Sequence, residues 1–173
     1  MSLTIGGDGD DWKVFSRNAQ TGNKILFRSR TQMPAVEAYA SENQMARLRC
    51  ALAESEIGPG GLPKSTKDLD DFEDSLIGAL EAANAEVYLI AIVTSEGNRD
   101  LFFAARDLDD LRAGIKAATN APTITLALAP IADKPPFLKL LTLTGEMEKA
   151  AFAQGRAFGI PVPGGGPFGR SGR

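Results

Sequence analysis

Four arginines offer the most suggestive chemistry in the chain. Arg28 and Arg30 stand two residues apart in one candidate strand, and Arg47 and Arg49 stand two apart in another. Side chains alternate along a strand, so each pair shares one face. If the two faces coincide, the guanidinium groups form a stripe able to grip phosphate or carboxylate groups. The surrounding residues 13–53 hold seven bases against two acids, a net charge of +5. Aromatic interleaving is thin, with Phe27 and Phe15 on other or unassigned parities, which argues against a single-stranded nucleic-acid surface. The plainer alternative is a solvated or salt-bridged sheet face.

Other chemistry-bearing residues lead less far. Asp68, Asp70, Asp71 and Asp74, or Asp107, Asp109 and Asp110, are dense enough to attract Mg²⁺ or Ca²⁺. Neither cluster has alternating acids around a glycine turn, and both read better as helix starts, where acids meet the positive dipole end. Nothing identifies a pair of acids converging for glycoside hydrolysis. The run Gly58-Pro-Gly-Gly-Leu-Pro-Lys64-Ser65 nearly spells a phosphate-binding loop. Pro63 stands where that loop needs its second glycine, and proline supplies no N–H and no positive φ. Cys50 shares its strand face with Leu48 and Leu52 and reads as a buried structural thiol. Histidine is absent, which removes Ser-His-Asp and Cys-His hydrolysis, most catalytic zinc sites and haem-histidine ligation.

The elements that must position these residues follow from periodicity. Residues 12–19 and 24–30 read as two strands of a hairpin around Gln20-Thr21-Gly22-Asn23. Residues 31–44 lack clean periodicity and contain Pro34, so they read as a loop or a short helical turn. Residues 47–54 alternate as a half-buried strand, and 57–63 form a loop. A helix follows, capped by Ser65, with Leu69, Phe72, Leu76, Leu80 and Ala83 on one stripe and Asn84 as its stop. Residues 87–94 and 101–106 read as strands around Ser95-Glu-Gly-Asn98. Asp107 caps a second helix bearing Leu111, Ile115 and Ala118, and 123–129 is another strand. Residues 137–158 read as a last helix behind Pro135-Pro136, weakened by Gly145 and Gly155. Residues 159–173, with six glycines and three prolines, read as a flexible tail after a single domain over 1–158.

Lys67-Asp-Leu-Asp-Asp-Phe72 and Arg106-Asp-Leu-Asp-Asp-Leu111 repeat one pattern, each opening a helix between two strands. The order is β-α-β-β-α-β. The sequence therefore predicts an α+β fold, a ferredoxin-like split β-α-β repeat with an added N-terminal β-hairpin and a C-terminal helix. No apolar run reaches the roughly 20 residues of a membrane helix. The polar, acidic N-terminus has no signal-peptide pattern, and one cysteine suggests a reducing compartment, so a cytoplasmic location is expected. The 19 basic and 22 acidic residues leave a net charge of −3, which disfavours nucleic acid as a partner.

A family resemblance adds to this. Asp11-Trp12-Lys-Val-Phe15, Lys24-Ile-Leu-Phe-Arg28 and Gly61-Leu62-Pro63 are similar to stretches of the family called domain of unknown function 695. So are Leu69-x-x-Phe72-Glu73-Asp74-x-Leu76, Thr94-x-x-Gly97-x-Arg99-Asp100-Leu-Phe-Phe103 and Asp133. The likeness covers roughly residues 11–145. Where the family usually continues with tryptophan and tyrosine, this chain has Phe137 and Leu140 nearby. The resemblance implies an α+β domain of bacterial type with no established activity and no assigned catalytic residues. Some members are joined to a domain similar to a regulator of ribonuclease E, which implies a protein-binding regulatory role.

The expected function is therefore a non-enzymatic binding or regulatory module acting through protein–protein contacts, with no cofactor and no metal. The alternative is an enzyme or small-anion-binding protein that uses arginines and carboxylates on an acidic substrate. Arg28, Arg30, Arg47 and Arg49 are the candidate binding residues. Self-association as a homodimer is also expected. Tyr88, Ile90 and Ile92 on one strand face would need a cover, from a second copy together with the C-terminal segment. The residue inventory generates a first test. Metal analysis of the purified protein is expected to find no stoichiometric zinc or iron, and one equivalent of either would overturn the reading.

Overall fold

The computed structural model describes residues 3–31 and 33–135. The expected C-terminal helix and the glycine-rich tail lie outside the described residues. The elements are β1 (Trp12–Asn18), β2 (Lys24–Arg30), α1 (Met33–Glu42), β3 (Gln44–Leu52), α2 (Lys67–Ala82), β4 (Val87–Ser95), β5 (Asn98–Ala105), α3 (Leu108–Ala117) and β6 (Ile124–Pro130). The strands form one sheet in the order β1-β2-β4-β5-β3-β6, every neighbouring pair antiparallel. The mixed α+β class read from the sequence holds. Among the described residues no helix is long and apolar enough to cross a membrane.

Helices α2 and α3 pack side by side on one sheet face. Leu69, Phe72, Leu76 and Leu80 of α2 are buried, as their 3-4-4 spacing requires. Leu108 and Leu111 of α3 join them over Leu48, Cys50, Leu89, Ile92, Leu101 and Phe103. Asp107 caps α3 by accepting from the Asp109 N–H at 2.9 Å. At α2 the cap position falls to Thr66, while Ser65 Oγ accepts from the Lys67 N–H at 3.2 Å. Asn84 ends α2 with a φ of 49°.

The other face differs from expectation. Residues 33–42 are a ten-residue helix, longer than the loop or short helical turn expected, and α1 packs on that face. Its fully buried residues are Val36 and Ala40, with half-buried Tyr39 beside them, packed with Met45, Ile90, Ala91, Phe102 and Ala104. A stripe this short does not stand out as periodicity, and Pro34, tolerable in a first helical turn, reads as a breaker.

Strand β4 also departs from simple alternation. Its pairing with β5 shifts register between Leu89 and Ala91, a β-bulge at Ile90. The extra residue reverses the parity that follows. Val87, Leu89 and Ile92 face α2 and α3, whereas Tyr88, Ile90, Ala91 and Val93 face the α1 side. The apolar patch expected of Tyr88, Ile90 and Ile92 therefore does not exist as one surface, and Ile90 is 1% exposed.

The bulge also leaves backbone groups to satisfy. The ladder between β2 and β4 runs only to Ser29 opposite Ala91. Beyond it, Arg30 Nε donates to Leu89 O at 2.8 Å, and the Leu89 N–H donates to Ile5 O at 3.0 Å. Arg30 Nη2 donates to Thr4 O at 2.6 Å and Ile5 O at 3.0 Å, tying the N-terminal segment into the gap. The guanidinium lies 5.0 Å from the centre of the Trp12 ring, and Trp12 Nε1 donates to Gly6 O at 3.0 Å. Gly7, at φ 70°, closes the pocket, since a Cβ there would lie 2.5 Å from Arg30 Nη1. Burial lowers the pKa of Arg30, opposed by the charges of Asp11 and Asp8. Asp11 stands 3.7 Å from Nη1.

Arg30→Met keeps the length of the side chain and removes every one of these donors. It should destabilise the protein by roughly 3–5 kcal/mol, the range for breaking a buried charge network. Urea unfolding measures it, and an unchanged midpoint would show that the guanidinium is dispensable.

Candidate functional site

The arginines do not form one stripe. Strands β2 and β3 are separated in the sheet by β4 and β5, and the two pairs lie on opposite faces. Arg28 points toward α2, where Nη2 meets Glu73 Oε2 at 2.6 Å. Arg30 is consumed by the β4 bulge. Arg49 lies on the α1 side, opposite Asp100 of β5, and makes a bidentate pair with it at 2.7 Å through Nε and Nη2. That bond raises the pKa of Arg49. Arg47 Nε is buried and has no hydrogen-bond partner, a condition it shares with Arg30 Nη1. The shared-face premise fails because parity was judged within each strand, whereas the sheet order decides which strands are neighbours.

Sequence reasoning missed Arg99. It is buried on β5, with Nη1 2.6 Å from Asp70 Oδ1 and 3.3 Å from Glu73 Oε2, and Nε donating to Thr94 Oγ1 at 3.3 Å. Arg28 of β2 and Arg99 of β5 thus pin Glu73 and Asp70 of α2 to two strands. Burial pushes the Asp70 carboxyl up, but hydrogen bonds from Arg99 and Thr66 and the charges of Arg99 and Arg28 hold it below its ordinary value. The available signal was Glu73, three residues after Asp70 on the first turns of α2 and so on the same helix face.

The remaining candidates are structural. The glycine-rich loop is closed by a bridge between Ile57 and Pro63 and by the Gly58 N–H donating to Leu62 O at 2.7 Å. It is docked on the β4–β5 turn, where the Gly97 N–H donates to Gly61 O at 2.8 Å. Gly97, at φ 75°, admits no side chain, since a Cβ would meet Ile57 Cδ1 at 2.4 Å. Glu96 in the same turn accepts from Thr21 Oγ1 and Asn23 Nδ2 of the β1–β2 turn. Asp68 accepts from Thr123 Oγ1 at 3.0 Å, and Asp109 pairs with Arg112 at 2.6 Å. Among the described residues no three His, Cys, Asp or Glu side chains group to hold a metal ion.

One feature is open to a ligand. A groove of about 320 Å³ runs between α3 and β6, lined by Leu48, Ile115, Leu126, Leu128 and, at its rim, Arg112. Its wall is a strand edge, because among the described strands β6 pairs with β3 alone.

The profile of a family of unknown function, DUF695, matches residues 10–134. The chain belongs to this family. No curated protein and no solved structure matches it. For this DUF695 chain, the matched span holds the six described strands and three described helices, the Glu73–Arg99 network, the β6 groove and Arg30 itself, while the segment 4–7 that cradles Arg30 precedes it.

Cys50 supplies a test of the core between these features. Burial pushes its thiol up to about 12, against a smaller lowering by Arg99. A thiolate reagent at neutral pH should therefore leave the native protein unmodified and label it on addition of denaturant. Linkage fixes the sign: the contribution of the neutral thiol to stability is complete below the ordinary pKa of 9.0 and is lost as pH rises toward about 12. Rapid labelling of the native protein would place Cys50 at the surface instead.

Proposed function

We propose that this DUF695 domain is a non-enzymatic binding module that works through protein–protein contacts at the β6 edge and the groove beside it. The observation that carries this is the nature of that wall. β6 reads Ile-Thr-Leu-Ala-Leu-Ala-Pro, without a charge, and lines an apolar groove with Leu126 and Leu128. An exposed strand edge is a template for another strand, and a helix alongside supplies a pocket for every second side chain of the incoming segment. The chemistry-bearing groups support the same reading. Arg28, Arg30, Arg49 and Arg99 are held by partners inside the domain.

We also read the core as a ferredoxin-like split repeat. Its support is the run β3-α2-β4-β5-α3-β6, in which β5 lies between β3 and β4, and β3 lies between β5 and β6. The added hairpin β1–β2 extends the β4 side, which leaves β6 as an edge.

The second reading, a small-anion site, is favoured by one observation, the buried and unbonded Nε of Arg47. A displayed library of random peptides separates the two. Enrichment of extended sequences with alternating apolar residues, lost on Ile115→Lys, is the expected result. No enrichment, together with calorimetric phosphate binding that Arg47→Gln abolishes, would replace the docking reading with the anion site.

A further inference from the structure

The backbone of β6 says which strand fits its edge. The Ala53 N–H donates to Thr123 O, and the Ile131 N–H donates to Met45 O, at the two ends of its ladder with β3. The register between them is continuous, so the odd-numbered residues of β6 bond to β3 and the even-numbered ones turn their N–H and C=O outward. Of the even-numbered residues, Ile124 is already satisfied. Its N–H donates to Ala121 O at 3.1 Å, and its carbonyl accepts from Asn120 Nδ2 at 3.0 Å. Pro130 has no N–H to offer. The strand between them therefore presents the N–H and C=O groups of Leu126 and Leu128 at its outer edge. No described strand pairs with that edge.

That pattern is complementary to itself. Resting on the docking reading above, we propose that the partner strand is β6 of a second copy, laid antiparallel with Leu126 opposite Leu128 about a two-fold axis at Ala127. In this register the free N–H groups of each copy meet the free C=O groups of the other. A shift of two residues toward Ile124 asks for groups already bonded, and a shift toward Pro130 asks for a missing N–H, so one register uses the edge fully. On the helical face, Leu126 and Leu128 of each copy then meet their counterparts, with Ile115 of both α3 helices closing over them. The two grooves become one apolar core.

Charge agrees with this occupant. The opposite edge strand, β1, carries Lys13 and Arg17, the kind of residue that guards an edge against pairing. β6 carries no charge, and Arg112 at the groove rim is already paired with Asp109. Two copies therefore meet at the axis without like-charge repulsion. The homodimer expected from sequence thus acquires a different surface, the sheet edge in place of the sheet face that α1 covers.

Ala127 is the residue to change. It is exposed, and its side chain faces that of its counterpart across the axis in a close, non-hydrogen-bonded pair. Light scattering of the full chain at micromolar concentration is expected to give twice the 18.3 kDa chain mass. Ala127→Lys and Ala127→Asp should each give the single-chain mass, with unchanged circular dichroism, and an equimolar mixture should regain the doubled mass. A wild type at the single-chain mass, or a doubled mass that survives both substitutions, overturns the proposal. The peptide screen then separates the causes. A monomer that still captures extended peptides loses only the second copy as occupant, and one that captures none loses the docking edge as well.

Discussion

A bulge in a central strand leaves an N–H and a C=O without a place in the ladder, and each such buried group costs about 1–3 kcal/mol if unmet. In this domain the bulge at Ile90 sets that demand, and Arg30 with the N-terminal segment answers it. Placing a guanidinium in a core is itself costly by several kcal/mol. The cost is offset because one side chain spans Leu89, Thr4, Ile5, Asp11 and the Trp12 ring together. The bulge cannot be removed without rewriting the core, since it is what lets β4 serve α2 and α3 with Leu89 and Ile92 while serving α1 with Ile90 and Ala91.

The two layers around the sheet rest on different physics. The α2–α3 layer is a broad apolar stripe fastened at one end by the Arg28–Glu73–Arg99–Asp70 chain of charges. The α1 layer is thin. It relies on small residues, Ala40, Ala91 and Ala104, which let the helix approach the sheet closely. Tyr39 and Tyr88 meet edge-on there, 4.8 Å apart. Lys134 holds the C-terminal end of α1 by donating to the carbonyls of Ala40, Ser41 and Asn43.

The strands and the two regular helices were legible in the sequence because alternation and 3-4 spacing are imposed by one buried face each. Leu69, Phe72, Leu76 and Leu80 could belong to nothing but a helix. What escaped was everything that depends on a second element. α1 escaped because two buried residues make no pattern, and the β4 faces escaped because a bulge is invisible to a parity count. The arginine pairs were assigned correctly within their strands and wrongly between them, since strand order is a property of the whole sheet. Of the candidate site, the uncharged run of β6 was readable, but that it lies at an edge beside α3 was not.

The position of β3 has a consequence for how the chain comes to be folded. It lies between β5 and β6, both of which are synthesised after it, with two further elements intervening before the first of them. Until β5 and β6 have been made, the strand Gln44–Leu52 has no partner for either hydrogen-bonding edge, and Leu48 and Cys50 have no complete core to enter. Non-local pairing of this kind is slow and leaves nascent chain exposed to association. The hairpin β1–β2 can form early, but its docking on β4 must wait as well. The sheet therefore assembles late, when β4 and β5 arrive as a hairpin that gives both waiting segments their partner, and β6 completes it on the other edge of β3.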